Sequence, residues 1–285
     1  MTQPSGSTDS YVLGTAATER ERLARQHATW RADTFTGWDQ AGFRAGQRLL
    51  DLGCGPGFAA LDLAERVGPA GTVLALDNAA PYLEHLQREA QARGLEQLRT
   101  LRFDLGTSSS SGQVEAAIGS GNWDGAWCRW LAMFLPDPAA LIAVVAQALR
   151  PGGRLVLHEY VHWDTFALHP SGEAVETFVR RCISHWQANG GDPHVARRLP
   201  GLLEAAGLRL VEARSLMACE PGDGPKALWL QDFLRCYTPQ LAAAGLWSAA
   251  EQQALDTEIL RARQHPSLWV TPALVEQIWE QPGSS

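Results

Sequence analysis

Positive charge is scarce in this chain. Against 31 Asp and Glu stand 24 Lys and Arg, a formal net charge of −7. That balance argues against a nucleic-acid backbone as main partner, because proteins built for one carry a basic face. The pairs Arg180-Arg181 and Arg197-Arg198 are too small to make such a face. Cysteine is sparse too: the five at 54, 128, 182, 219 and 236 are widely spaced, with no C-x-x-C pair. This excludes a familiar zinc framework, leaves no metal to expect, and fits a reduced compartment. No stretch approaches the roughly 20 apolar residues of a membrane span, and no charged-then-apolar leader opens the sequence. The expectation is a soluble, cytoplasmic protein without a membrane partner.

What the chain has is apolar material and glycine. Its 285 residues are 45% hydrophobic, enough for one large α/β domain carrying a cap. Residues 1–10 are rich in Ser, Thr, Gly and Pro and read as a disordered tail. Residues 11–45 read as a helical lid, with Leu23, Gln26, His27 and Trp30 on one side of a helix over 18–33. A packing helix is the plainer alternative for that segment.

The most informative stretch is 49–57, Leu-Leu-Asp-Leu-Gly-Cys-Gly-Pro-Gly. Leu49, Leu50 and Leu52 give a buried strand, and Gly53, Gly55 and Gly57 let a ligand approach bare backbone. From Phe58 the apolar residues take helical spacing. A glycine loop between a strand and a helix start offers convergent N–H groups to a polar or anionic ligand. Asp51 opens the loop, which suits a cation nearby better than a pyrophosphate. A second run, 72–76, ends in Asp77, at the distance where a second strand presents a carboxylate to ribose hydroxyls. Cys54 reads as a small buried filler rather than a nucleophile.

Strands are expected near 48–53, 72–77, 98–104, 123–130 and 153–160, and helices near 57–67, 80–93 and 137–149. This rhythm implies a parallel sheet covered on both faces. Beyond 160 it breaks, with helical insertions at about 165–190 and 225–264, a helix near 195–206, a strand at 208–213, and a last strand over 268–280.

The residues Asp51-Leu-Gly-Cys-Gly-Pro-Gly57, Asp77, Phe103-Asp104-Leu105 and Leu149-Arg-Pro-Gly-Gly-Arg-Leu155 resemble the class I S-adenosyl-L-methionine (SAM)-dependent methyltransferases of small-molecule type. The likeness is strong over 46–160, the expected SAM-binding core, and looser over 161–285. It implies a doubly wound, Rossmann-like α/β fold whose mostly parallel seven-stranded sheet has its last strand antiparallel. It also implies roles. Gly53, Cys54 and Gly55 would line the methionine part of SAM, with Asp51 near its ammonium. Asp77 would take the ribose hydroxyls, with Asn78 bordering the adenine, Asp104 accepting from the adenine amine and Leu105 offering a backbone N–H. Cys128 and Arg129 would sit at the amino-acid end of SAM, with Tyr11 and Gln26 closing over it from the lid. Asp104 as a helix cap and Arg129 stacked on an indole are the plainer alternatives.

Methyl transfer from a sulfonium needs alignment, exclusion of water and, for some acceptors, removal of a proton. Glu159 and His162, at the end of the fifth strand, are the candidates to orient or deprotonate an acceptor. Aromatic residues in the insertions (Trp163, Phe166, Trp186, Trp229, Phe233, Tyr237, Trp247) suit a cap over an apolar or aromatic metabolite, although helix packing would use them equally well. No Asn/Asp-Pro-Pro-Tyr/Phe motif follows the fourth strand, and no Pro-Cys nucleophile occurs. Among the resembled enzymes, that argues against amino-nucleobase, glutamine-amide and cytosine-C5 methylation. The expected activity is biosynthetic O- or N-methylation of a small molecule by in-line displacement, with S-adenosyl-L-homocysteine (SAH) as product. A SAM-binding protein of the same fold that transfers no methyl, such as a cyclase or regulatory partner, is the alternative. A homodimer is left open.

Overall fold

The computed structural model describes residues 17–106 and 111–283. Its first half alternates α1 (Ala17–Gln40), β1 (Arg48–Leu52), α2 (Phe58–Val67), β2 (Thr72–Asp77), α3 (Ala80–Ala92), β3 (Leu98–Arg102), α4 (Ser111–Ile118), β4 (Trp123–Arg129), α5 (Pro138–Ala148) and β5 (Leu149–His162). The second half adds β6 (Ala167–His169), α6 (Glu173–Ala188), α7 (Leu199–Ala205), β7 (Arg209–Ser215), β8 (Cys219–Pro221), α8 (Pro225–Ala243), α9 (Ala249–Gln264), β9 (Leu268–Val270) and β10 (Ala273–Glu280).

Seven strands form one sheet in the order β3-β2-β1-β4-β5-β10-β7. The first five run parallel, and β10 lies antiparallel between β5 and β7. The expected Rossmann-like topology is therefore present. Helices cover both faces, so the central strands read as continuous apolar runs rather than alternating ones. Leu49, Leu50 and Leu52 of β1 are buried accordingly. Helix starts follow local chemistry. Asp137 accepts from the Ala139 N–H ahead of Pro138 at the first turn of α5, and Ser248 and Glu251 form a reciprocal capping box on α9.

Three features differ from the sequence expectation. Helix α1 runs to Gln40 rather than stopping near 33, because Trp38 continues its buried side and meets Trp127 edge-on at 5.5 Å. The insertion over 225–264 is two helices, broken where Gly245 takes a left-handed conformation (φ 72°) that ends α8. The run over 268–280 is cut at Thr271-Pro272, since proline has no amide for a ladder. β9 before the cut joins β6 and β8 in a separate three-stranded sheet, which the sequence did not foretell.

Helix α1 is tied to the far edge of the sheet. His158 of β5 and Glu276 of β10 are fully buried with Nε2 and Oε2 2.7 Å apart. Arg214 of β7 donates to both Glu276 oxygens and to the Asp33 carbonyl of α1. Gly37 of α1 lies directly on that carboxylate, where a Cβ would collide with it. Among the described residues, no helix is long and apolar enough to cross a membrane.

Candidate functional site

A cavity of about 470 Å³ opens where β1 to β5 end, with α1 and the second-half helices around it. The glycine loop forms one wall. Gly53, Gly55 and Gly57 all have positive φ, and a Cβ on Gly57 would collide with Leu86. The loop differs from an N–H cradle in one respect. Its amides are already used: Gly53 and Cys54 both donate to the Leu76 carbonyl at 2.9 Å, and Gly57 donates to the Cys54 carbonyl. Gly55 donates to Asp77 Oδ2 at 2.8 Å. The loop offers bare backbone for close approach, and the polarity of the site comes from side chains.

Three of those are carboxylates at successive strand ends. Asp51, 2% exposed, leaves Oδ2 with no hydrogen-bond partner. Burial pushes its pKa up to about 7 against the pull of Arg129, and the Asp77 charge adds to the rise. Asp77 is held by the amides of Gly55 and Ala79, one on each oxygen. The Asn78 amide is also directed at the carboxylate, which still leaves acceptor capacity for a hydroxyl donor. Burial nevertheless raises its pKa. Asp104 is exposed on the rim and accepts from the Gly106 amide; Asn78 and Leu105 line the same end.

The cation facing Asp51 is Arg129. Its guanidinium donates to Thr34 Oγ1 at 3.1 Å and lies 3.2 Å from His27 Nδ1, both on α1. It stacks 5.0 Å from the Trp130 ring. Burial lowers its pKa to about 10, while Asp51, Tyr160 and Asp62 oppose that fall. Gln26 also lines the cavity, and its Oε1 accepts from Arg22 and from the Trp229 indole.

The remaining wall is aromatic. Tyr160, Trp130 and Trp229 lie nearly parallel, with centroids 5.8 and 5.7 Å apart. Trp163 meets Trp186 edge-on at 4.8 Å, and Phe233 closes against both. Trp130 holds φ at 54°, a strained value for a bulky side chain, immediately after β4. Of the aromatic residues expected in the cap, Trp163, Trp186, Trp229 and Phe233 line the cavity. Phe166, Tyr237 and Trp247 are buried in the packing around it.

The structure thus brings together Gln26, Asp51, Gly53, Cys54, Gly55, Asp77, Asn78, Asp104, Leu105 and Arg129. Tyr11 lies outside the described residues. Cys128 sits beneath the wall, fully buried, with its thiol pKa pushed well up by burial. Glu159 and His162 do not line the cavity, which corrects the expectation of a base at either. Tyr160 and Glu159 point to opposite faces of β5, and it is Tyr160 that faces the cavity. The Glu159 carboxylate instead accepts from the Ala132 amide at 2.7 Å, with the Leu131 and Met133 amides also directed at it. Burial pushes its pKa up to about 8. His162 is half exposed, and its Nδ1 lies 2.7 Å from the Arg197 guanidinium, which donates to it.

Sequence reasoning gave no site role to Phe58 or to the turn at Leu131-Ala132-Met133, which lie at the cavity or under it. The signal available for the turn was the aromatic crowding at 127–130 just before it. Among the described residues, no cluster of three or more His, Cys, Asp or Glu could hold a metal ion.

The family model described as "Methyltransferase domain" matches residues 49–153. The chain is 32% identical over 163 residues to aklanonic acid methyltransferase DauC of Streptomyces sp. (strain C5), covering 56% of this chain and 70% of that one. It is 39% identical over 114 residues to nocamycin O-methyltransferase of Saccharothrix syringae, covering 40% and 38%. In fold it is similar to the geranyl diphosphate C-methyltransferase of Streptomyces coelicolor A3(2), solved with Mg2+, geranyl diphosphate and S-adenosyl-L-homocysteine. That likeness has a TM-score of 0.55 at 17% identity and covers 97% of this chain and 86% of the other. The chain spans between 38% and 70% of the length of these curated relatives.

Proposed function

Since the chain belongs to the class I SAM-dependent methyltransferases, we propose that it moves a methyl group from SAM to a small apolar or aromatic metabolite. The observation that carries this reading is the pair Asp51 and Arg129. A buried carboxylate oxygen without a partner lies opposite a half-buried guanidinium, beside a loop that admits close approach. That pair matches the ammonium and carboxylate of an amino-acid end group, with both charges met by strong, charge-assisted bonds. Asp77 would accept from the ribose hydroxyls, and Asp104 with Leu105 would border the adenine.

When bound, SAM supplies a methyl on a sulfonium, so displacement leaves a neutral thioether. The residues of the chain then have three tasks. Asp51, Asp77 and Arg129 orient the donor. The slab of Tyr160, Trp130 and Trp229, with Trp163, Trp186 and Phe233, excludes water and aligns a flat or apolar acceptor. Proton removal is the third, and here the lining is informative. Its carboxylates and imidazole, Asp51, Asp77, Asp104 and His27, cluster around the glycine loop rather than among the aromatic rings. Among the described residues, then, the lining favours an acceptor whose oxygen or nitrogen is nucleophilic without a carboxylate or imidazole base beside it. Relatives named for nocamycin and aklanonic acid support a small organic acceptor.

The direct test is release of SAH from SAM with candidate acceptors, alongside SAH binding by calorimetry. Asp77→Ala removes the ribose-accepting carboxylate and is expected to abolish measurable SAH binding while the protein stays folded. Unchanged affinity in that variant would refute the donor site.

A further inference from the structure

His27 joins three elements at the cavity wall. It lies on α1, 7% exposed, with its ring stacked on Phe58, the first residue of α2. Nε2 is 2.9 Å from Asp62 Oδ2 on α2, and Nδ1 is 3.2 Å from Arg129 Nη2 on β4. A guanidinium only donates, so Nδ1 must be the acceptor and the ring proton must sit on Nε2, donated to Asp62. The neighbours therefore fix one neutral tautomer. Arg31, a turn along α1, also donates to both Asp62 oxygens and locks the carboxylate that holds the ring.

We propose that His27 is a positioning residue that aims the Arg129 guanidinium at the donor's carboxylate and lets go of it when protonated. A proton on Nδ1 replaces the acceptor with a donor and sets a second cation against Arg129. The grip on the donor then loosens without any change at the reacting atoms. This rests on the reading of Arg129 as the carboxylate contact of SAM. The groups facing the ring are Asp62 from α2, Arg129 from β4 and Arg31 from α1, with Asp51 of β1 beyond Arg129. Burial lowers the His27 pKa, the hydrogen bond to Asp62 raises it and the Arg129 charge lowers it again; the net shift is downward. The latch is thus closed at neutral pH and opens on the acid side.

Asp51 and Asp77 take up protons in the same direction, so the experiment must separate His27 from them. SAH affinity is measured by calorimetry from about pH 8 down to the lowest pH at which the protein stays folded, for wild type, His27→Gln, His27→Phe and Asp51→Asn. In wild type, log Kd is expected to rise as pH falls, with His27, Asp51 and Asp77 each adding to the slope. His27→Gln keeps a neutral acceptor and donor, so it should bind within about twofold of wild type at pH 8 and show a shallower slope than wild type on the acid side. Asp51→Asn should also show a shallower slope. His27→Phe keeps the stacking on Phe58 but removes the acceptor, so SAH should bind about tenfold more weakly at every pH. The KM for SAM should follow Kd while kcat at saturation stays flat. Melting curves establish that each variant is folded; if His27→Phe is not, the slope of His27→Gln decides. Wild-type slope in His27→Gln, or wild-type affinity in His27→Phe, overturns the latch. Failure of wild type to bind SAH at any pH overturns the donor reading instead.

Discussion

Burial holds the Asp51 carboxyl at about 7, whereas an aspartate in an unfolded chain ionises near ~4. Between those values the folded protein keeps a proton that the unfolded chain has released. The folded pKa is the higher one, so this group favours folding at low pH, and that contribution is lost as pH rises toward 7. Asp51→Asn cannot ionise. Its melting temperature relative to wild type should therefore climb as pH goes from about 5 to about 8 in the absence of ligand. Saturating SAH should narrow that gap, because the ammonium rewards the wild-type charge. A pH-independent difference would show that Asp51 is ionised throughout. Glu159 tests a different claim. Its carboxylate serves the amides of the turn at 131–133, and Glu159→Gln retains an oxygen to accept them. We expect kcat within about threefold of wild type, whereas loss of a general base costs about 100-fold or more.

At the scale of elements, α1 carries His27, Gln26 and Arg22 to the cavity, and its placement depends on the bare Gly37. A Cβ there collides with Glu276, which is already committed to His158 and Arg214. Gly37→Ala should destabilise the fold by about 1–3 kcal/mol through overpacking and raise the Kd for SAH, since α1 must lift to admit the methyl. Wild-type affinity together with a wild-type melt would mean that α1 is not held there. The elements were unequally legible in the sequence. The strand, glycine loop and helix over 48–67 announced themselves because three buried leucines precede three glycines that need positive φ. β6, β8 and β9 have three residues each, too short for alternation to register. The side of Glu159 was hidden for a related reason. β5 is buried on both faces through 155–160, so apolar patterning could not say whether Glu159 or Tyr160 meets the cavity.

Across the whole molecule, the two ends of the cavity come from different parts of the chain. The loop, the strand-end carboxylates and Phe58 lie within 51–106, inside the matched domain over 49–153. Most of the aromatic wall comes from 160–233, with Trp130 as the bridge. If that division is functional, donor affinity and acceptor affinity should respond to separate substitutions. Phe233 is the informative position. It is only partly buried, stacks on Tyr237 at 5.2 Å and touches Trp163 and Trp186. Phe233→Leu keeps an apolar side chain and removes the flat face, at about 1–2 kcal/mol of stability. That loss should lower the melting temperature by about 2–4 °C per kcal/mol in a chain of this size. SAH should bind within about twofold of wild type, because the residues that meet it in the proposed site are untouched. The KM for the acceptor should rise by about tenfold, the loss of one aromatic contact in a desolvated wall. SAH affinity falling in parallel with acceptor affinity would mean that the aromatic wall shapes the donor site as well, and the division would fail.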